Sequence, residues 1–155
     1  ISSLWEANME VLDPEHSGIN LFDDGWKIYS RNSGMTGHKI SAGAVVEDSM
    51  ITDGCRVKGT VKHSILFSGV RVEKGAVIED AVVMGGTVVK AGAVVKHCIV
   101  AENVVVGENA VVGAMPSGEE KDVATVGSGV VIGDNAKICP KAMVRENVKG
   151  GEEVW

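Results

Sequence analysis

Aliphatic residues recur along most of the chain, most often at every sixth position, from Ile40 to Val144. A small residue stands two positions before most of them, and a glycine or asparagine often stands three positions before. Side chains alternate along a strand, so the small and the aliphatic residue face the same side, while glycine and asparagine tolerate the positive φ of a tight corner. The repeated aliphatic residues are Ile40, Val46, Ile51, Val57, Val61, Leu66, Val72, Ile78, Val83, Val89, Val95, Val100, Val106, Val112, Val126, Ile132, Ile138 and Val144.

A strand followed by a corner every six residues predicts a triangular coil. Three such units close one coil of about 18 residues, as in the hexapeptide class of β-helix. Stacked coils pair as parallel strands ~4.8 Å apart, so each aliphatic residue packs on its equivalents above and below. The sequence therefore predicts an all-β fold, a parallel β-helix of about six coils over residues 38–148. Because these repeats resemble the left-handed β-helix, we predict the left-handed form.

Three segments depart from the repeat. Residues 1–37 are predicted to form an interdomain linker with a short helix, which an early serine caps and which ends near Asp13. Residues 113–124 interrupt the repeat where a short corner is expected, and we predict a protruding, mobile acidic loop there. Residues 149–155 are assigned to a C-terminal tail.

Composition agrees with a coil built from small, β-branched residues. The 155 residues include 27 Val and 10 Ile but only 4 Leu, with 20 Gly and 4% aromatic residues, which excludes a helical fold for most of the chain. The net charge of −6 argues against a general nucleic-acid binder, and no apolar run reaches the ~18–20 residues of a membrane span. Three cysteines without CxxC spacing indicate neither a disulfide framework nor a zinc site, and we expect a reduced, cytoplasmic setting.

Charged residues follow the second strand of four successive coils, at the corner where the spacing shortens to five residues. Acidic and basic pairs alternate from coil to coil, so stacked equivalents are expected to form a structural ladder of ion pairs worth ~0.2–1 kcal/mol each. The ladder consists of Glu47, Asp48, Lys62, His63, Glu79, Asp80, Lys96 and His97.

The two histidines of the ladder support two interpretations. His63 and His97 lie beside Asp48 and Asp80, and a neighbouring carboxylate favours the charged imidazole. We therefore expect part of the stability to be gained as these histidines protonate. Hexapeptide-repeat acyltransferases use a coil histidine as a general base, so either histidine could serve catalysis with an aspartate as its orienter. The ladder explains the repeated histidines without chemistry, and the structural interpretation is preferred.

Other candidate chemistry is sparse. The sequence shows no nucleophile with a base, no metal-binding constellation and no phosphate-cradling glycine loop, so we expect no catalytic or metal-ligating residue in this chain. Cys55 and Cys98 occupy the small inward position and are expected to be inert core thiols. The basic residues that could bind an anionic effector are Arg31, Lys39, Arg56 and Arg71, although such residues are more often ordinary solvated charges.

Several motifs resemble one known family. Residues 3–9 (SLWEANM) and 26–32 (WKIYSRN) resemble the segment that joins the two domains of bacterial ADP-glucose pyrophosphorylase, also called glucose-1-phosphate adenylyltransferase. Residues 53–55 (DGC), 59–61 (GTV) and 63–70 (HSILFSGV) resemble the first β-helix coils of the same enzyme. The resemblance covers essentially the whole chain.

The resemblance implies that catalysis belongs to another domain of the protein than the one described by this sequence. The family joins ATP and glucose 1-phosphate to give ADP-glucose and pyrophosphate for glycogen synthesis, in an N-terminal nucleotidyltransferase domain that uses Mg²⁺. None of that domain's motifs is present, so this fragment is expected to be inactive alone and to need no cofactor of its own. It is expected to mediate homotetramer assembly and to help form a site for an anionic sugar-phosphate effector against its own N-terminal domain. Three alternatives stay open: a stand-alone trimeric acyltransferase, the β-helix of a sugar-nucleotide enzyme with a different sugar specificity, and a non-catalytic, regulatory paralogue of the pyrophosphorylase.

Overall fold

Short parallel strands stack along three sides of a coil. The computed structural model describes residues 1–29, 31–118 and 122–155, and within these ranges it contains three parallel sheets of six, seven and six strands. Sheet A contains β1 (Lys39–Ile40), β4 (Arg56–Val57), β7 (Arg71–Val72), β10 (Val88–Val89), β13 (Val105–Val106) and β16 (Val131–Ile132). Sheet B contains β2 (Val45–Glu47), β5 (Thr60–Lys62), β8 (Val77–Glu79), β11 (Val94–Lys96), β14 (Val111–Val112), β17 (Lys137–Ile138) and β19 (Glu153–Val154). Sheet C contains β3 (Met50–Ile51), β6 (Ile65–Leu66), β9 (Val82–Val83), β12 (Cys98–Val100), β15 (Ala124–Val126) and β18 (Met143–Val144).

The repeated aliphatic residues form the core of this solenoid. From Val57 to Val144 every one of them is buried, and the small residues two positions before them line the same interior. In the first coil, Ile40 is exposed while Val46 and Ile51 are half-buried, because this coil has a neighbouring coil on one side only. The predicted parallel β-helix is confirmed; its left-handed sense, which strand pairing does not determine, stays a prediction.

The corners adopt the left-handed backbone that the glycines and asparagines predicted. Positive φ angles of 55–59° occur at the three corner asparagines Asn103, Asn109 and Asn135, and the corner glycines show larger ones. The short corner is also left-handed, although it carries no glycine in the first four coils. Its φ values are 41–50°, a conformation in which aspartate and histidine are enriched among non-glycine residues. The residues concerned are Asp48, His63, Asp80 and His97.

The solenoid continues past its expected end. Val148 forms a parallel bridge with Ile132, and β19 pairs with β17. Residues 149–155, assigned to a tail from the sequence, therefore add a further coil, and about seven turns replace the six that were expected. The repeat did not reveal this coil because the step from Val144 to Val148 is four residues instead of six.

The N-terminal segment contains two helices, α1 (Ser2–Glu10) and α2 (Pro14–Ser17). The expected serine cap is wrong: Ile1 occupies the N-cap of α1 and makes no side-chain cap bond, because the helix begins at Ser2. Met9 of α1 is buried on the outer side of sheet C, in a small apolar cluster with Val82, Ile99 and Val123. Neither helix among the described residues has the length and apolar character needed to cross a bilayer.

The acidic insertion lies between β14 and β15. Ala124 is in register with Cys98 and begins β15, so the insertion ends one residue before its expected limit. Asp122 forms an ion pair with Lys141, with 2.9 Å between Oδ1 and Nζ. The mobility expected for this loop stays a prediction, and its residues 119–121 lie outside the described residues.

Candidate functional site

Four charged residues stack on the outer side of sheet B, beside the short corner, and are named here the charge column: Glu47, Lys62, Glu79 and Lys96. Lys62 is in register with Glu47 on one side and with Glu79 on the other, and Lys96 is in register with Glu79. The Lys62 Nζ lies 3.0 Å from the Glu47 carboxylate, and the Lys96 Nζ lies 2.8 Å from the Glu79 carboxylate. The structure thus places acid and base in alternation along the solenoid axis.

His63 joins two coils at the neighbouring position of the corner. Its Nδ1 lies 2.5 Å from Oδ1 of Asp80 in the next coil, and its backbone N–H donates to the carbonyl oxygen of Glu47 in the previous coil. The imidazole is partly exposed, while the Asp80 side chain is more buried. His63 therefore links adjacent coils through its contact with Asp80, at a corner whose backbone is left-handed.

His97 has different surroundings. It is 3% exposed, and its ring centroid lies 4.4 Å from that of Trp5. The indole Nε1 of Trp5 donates to the backbone oxygen of Asp80 at 2.8 Å. Helix α1 therefore covers the corner at this coil and shields His97 from solvent.

The docking of α1 was missed from the sequence, which treated His63 and His97 as equivalent. A usable signal exists: Trp5, Met9 and Leu12 are spaced as residues i, i+4 and i+7 of a helix, which is the spacing of one apolar face. All three belong to or pack on the apolar cluster on sheet C.

The corner can support only limited acid–base chemistry. A general base must reach the proton that it removes from a substrate, and the burial of His97 beneath Trp5 denies a substrate that access. His63 keeps partial exposure, and its contact with Asp80 has the geometry of a base and its orienter. The same contact serves equally to fasten one coil to the next.

The three cysteines are free and buried. Burial raises the pKa of the Cys98 thiol far above its usual value, and burial also raises the pKa of Cys55. For Cys139, burial and then a hydrogen bond with Glu153 raise the pKa of the thiol. Because the thiolate is the nucleophilic form, these thiols are unreactive at neutral pH.

Three of the four candidate effector residues share one position on sheet A, and they are named here the basic column: Lys39, Arg56 and Arg71. Lys39 is in register with Arg56, and Arg56 with Arg71. A cleft of about 410 Å³ opens beside the first two of them, with Lys39, Arg56, Lys58 and Ser41 in its lining. Like charges on directly opposite strand positions are destabilising, and an anion beside the basic column would relieve this repulsion.

Arg31 lies outside the strands of sheet A. It is exposed in the N-terminal segment, and the contacts of the described residues include no hydrogen bond or ion pair that links it to the column. Among the residues that the structure describes, no group of three or more His, Cys, Asp or Glu is placed to hold a metal ion.

The coil, its repeated aliphatic core and its glycine and asparagine corners define the chain as a hexapeptide-repeat β-solenoid. Residues 33–148 match the model of a family described as GlmU-like, C-terminal hexapeptide. The chain belongs to this family.

Curated relatives show more specifically which proteins the chain resembles. The chain is 51% identical over 78 residues to the glucose-1-phosphate adenylyltransferase of Geobacillus stearothermophilus and 49% identical over 78 residues to that of Bacillus mycoides. The aligned residues make up 50% of this chain but only 20% of each relative, so the match spans about a fifth of the relatives' length. The resemblance to ADP-glucose pyrophosphorylase is confirmed over these 78 residues, and over the rest of the chain it stays a prediction.

Solved structures share the fold. The acetyltransferase domain of PglB from Neisseria gonorrhoeae, solved in complex with acetyl coenzyme A, is similar with a TM-score of 0.54. The likeness covers 78% of this chain and 55% of that chain at 15% sequence identity. At this identity the likeness concerns the architecture and carries no information on the reaction.

Proposed function

We propose that this chain is the C-terminal assembly and regulatory domain of a glucose-1-phosphate adenylyltransferase. The observation that carries the proposal is the 51% identity to the Geobacillus stearothermophilus enzyme over half of the chain. The parent protein would join ATP and glucose 1-phosphate to give ADP-glucose and pyrophosphate for glycogen synthesis. The present chain would contribute no catalytic group to that reaction.

The chemistry of the described residues supports a non-catalytic role. The interior is filled by aliphatic side chains, His97 lies beneath Trp5, and the thiols are held protonated. We therefore assign ATP, Mg²⁺ and the catalytic residues to a nucleotidyltransferase domain in the part of the relatives that lies outside the alignment. The free cysteines agree with a cytoplasmic setting for the parent enzyme.

A regulatory role is supported by the basic column. Lys39, Arg56 and Arg71 stack three like charges, and a sugar phosphate bound in the cleft that Lys39 and Arg56 line would neutralise part of this charge. Arg31 belongs to the adjoining segment and stays a candidate for the same ligand.

The N-terminal segment supports contact with the nucleotidyltransferase domain of the same protein. Phe22, Trp26 and Tyr29 are all more than three-quarters exposed, which is unusual for aromatic side chains on a surface that contacts no other domain. The proposed oligomer is a homotetramer of the parent enzyme.

A chimera tests the proposal. The C-terminal part of the Geobacillus stearothermophilus enzyme would be replaced by this chain, and ADP-glucose formation from ATP, Mg²⁺ and glucose 1-phosphate would be measured for the chimera and for the chain alone. We expect an active, oligomeric chimera and an inactive chain. ADP-glucose formation by the chain alone, or a chimera that does not assemble, would contradict the proposal.

A second function, that of a stand-alone acyltransferase, has one observation in its favour, the 2.5 Å contact of His63 with Asp80. Titration calorimetry with acetyl coenzyme A distinguishes the two. We expect no binding. Binding together with acetyl transfer that is lost in His63→Gln would replace the first proposal by the second.

A further inference from the structure

The outer side of sheet B presents two parallel columns of side chains. One is the charge column. The other, which Lys137 and Glu153 continue on the last two strands of the sheet, stands two residues earlier on the first five strands, is at least partly exposed, and is aliphatic there except for one threonine. This second set is named here the valine column and consists of Val45, Thr60, Val77, Val94 and Val111.

We propose that this face binds a second copy of the chain through a two-fold axis that runs along the strand direction. The proposal rests on the assembly role proposed above and names its surface. Such an axis keeps the strand direction and reverses the solenoid axis, so each column opposes itself in the reverse order. Glu47 then faces Lys96 of the second copy, and Lys62 faces Glu79. The alternating order of the charge column is its own complement when reversed, so all four contacts join an acid to a base.

The same axis also matches the valine column with itself. Val45 then faces Val94 of the second copy, and Thr60 faces Val77. Contact between aliphatic residues removes apolar surface from water, and this supplies the non-directional part of the attraction. The charges select the orientation more than they add affinity, because each already has a partner on a neighbouring coil of its own chain.

A two-fold axis parallel to the solenoid axis cannot match both columns, because an axis over the valine column pairs the valines but leaves the charge column without its own counterpart. It keeps the order of the coils and reverses the strand direction. If the axis passes over the charge column, Glu47 meets Glu47 and Lys62 meets Lys62. If it passes between the columns, valines meet charged residues. Both arrangements oppose like charges or bury charge against apolar groups, and each is unfavourable.

The other two faces lack this self-complementarity. Helix α1 covers part of sheet C through Met9, which packs on Val82 and Ile99. On sheet A, the basic column is followed along the axis by Val88 and then Val105. Reversed against itself over its whole length, sheet A would place basic residues on valines. Among the described strands, sheet B is therefore the face on which charged and apolar residues together complement a second copy.

Inversion of the charge column tests the proposal. The variant combines Glu47→Lys, Lys62→Glu, Glu79→Lys and Lys96→Glu, which preserves the alternation within the chain and the complement between two inverted copies. We expect the inverted chain to form its own dimer. With the wild type, however, every contact would join like charges. Native mass spectrometry of mixed, differently mass-labelled chains should therefore show heterodimers far below the roughly half that random exchange gives.

The control is a charge exchange elsewhere. Lys58 and Glu73 form an ion pair at 2.7 Å on the corner that follows sheet A. The double variant Lys58→Glu with Glu73→Lys is expected to mix at random with the wild type.

The outcomes separate this inference from the proposed function. Random mixing by the inverted chain would show that the dimer uses another face, and preferred heterodimers would indicate a two-fold axis along the solenoid. Either result overturns the inference while the assembly role stands. A wild-type chain that stays monomeric at ~100 μM, well above the Kd of weak assemblies, overturns both.

A single substitution covers the case in which the inverted chain fails to fold. Val94→Glu places a carboxylate opposite Val45 of the second copy and, at a partly exposed position, should leave the fold intact. We expect its dimer to dissociate at least about tenfold more readily by sedimentation, whereas Val131→Glu on the outer side of sheet A should not change the dimer. An unchanged dimer in Val94→Glu would overturn the inference.

Discussion

The central coils and the N-terminal segment use apolar residues in opposite ways. In the coils, each inward residue, such as Ile78, lies between its equivalents on the coils above and below and is fully buried. In the N-terminal segment, Ile28 and Trp26 are 57% and 76% exposed, and Met9 anchors the segment to the outside of sheet C. Repetition therefore supplies stability inside the solenoid, whereas the segment keeps apolar surface that the solenoid does not cover.

The largest difference in stability is expected when an isoleucine is replaced by alanine in the coils and, for comparison, in the N-terminal segment. Ile78→Ala opens a cavity between Val61 and Val95 and should lower the free energy of unfolding by about 2–5 kcal/mol, because the packed coils cannot collapse into the space. Ile28→Ala removes the same atoms from a solvent-exposed side chain and should change the free energy of unfolding by less than about 0.5 kcal/mol. Chemical denaturation followed by circular dichroism measures both. Equal losses would show that the segment is packed as tightly as the coils, which contradicts the comparison.

A smaller, local effect is expected where the two regions meet. Met9→Ala removes the side chain that holds α1 on Val82 and Ile99, and should weaken the docking of the helix by roughly 2 kcal/mol without changing the unfolding of the coils. Amide hydrogen exchange measures the two separately: exchange should quicken in α1 and stay unchanged in sheet B.

Glu10→Ala is the matched control for this experiment, because Glu10 is the exposed neighbour of Met9 on the same helix. Its exchange pattern should equal that of the wild type. If Met9→Ala instead quickened exchange throughout the coils, α1 would be part of the cooperative unit of the solenoid, and the two regions would not be separable.

The sequence was sufficient to predict the coils because each aliphatic position is repeated, so one correct interpretation of the spacing is tested again at every turn. Contacts that occur once offered no such check. The docking of Trp5 on His97 and Asp80 depends on where α1 lies relative to a corner, which spacing does not encode. The last coil was not predicted for a related reason, since the four-residue step before Val148 breaks the period.

The candidate site was predicted as residues but not as an arrangement. Lys39, Arg56 and Arg71 were selected for their charge alone, and the structure brings them to one position on sheet A. Their separations of 17 and 15 residues are coil lengths, so the column could have been derived from the repeat. Arg31 has no repeat to place it, and no pattern could relate it to the column.

The smallest effect is expected at the last coil, which unites features of both regions. Its strand β19 is held from one side by β17, and Lys137 Nζ lies 2.7 Å from Glu153 Oε1 and 5.8 Å from the ring centroid of Trp155. The hydrogen bond from Lys137 lowers the pKa of the Glu153 carboxyl below its usual value. Because the pKa of the Glu153 carboxyl is lower in the folded chain than in the unfolded one, the ion pair stabilises the coil fully at pH values above the unfolded-state pKa. This stabilisation is lost as the pH falls through the folded-state pKa.

Acid titration of the Trp155 indole by NMR measures this effect. In the wild type, the indole resonance should move toward its unfolded position as the pH falls below the usual value of 4.5 for a glutamate. In Glu153→Gln it should already lie near that position at neutral pH and change little with acid, whereas Glu146→Gln, at an exposed site outside the pair, should titrate as the wild type does. A wild-type titration in Glu153→Gln would mean that strand pairing alone orders the last coil. The last coil would then be stabilised in the same way as the central coils, by neighbouring strands and not by side-chain charges.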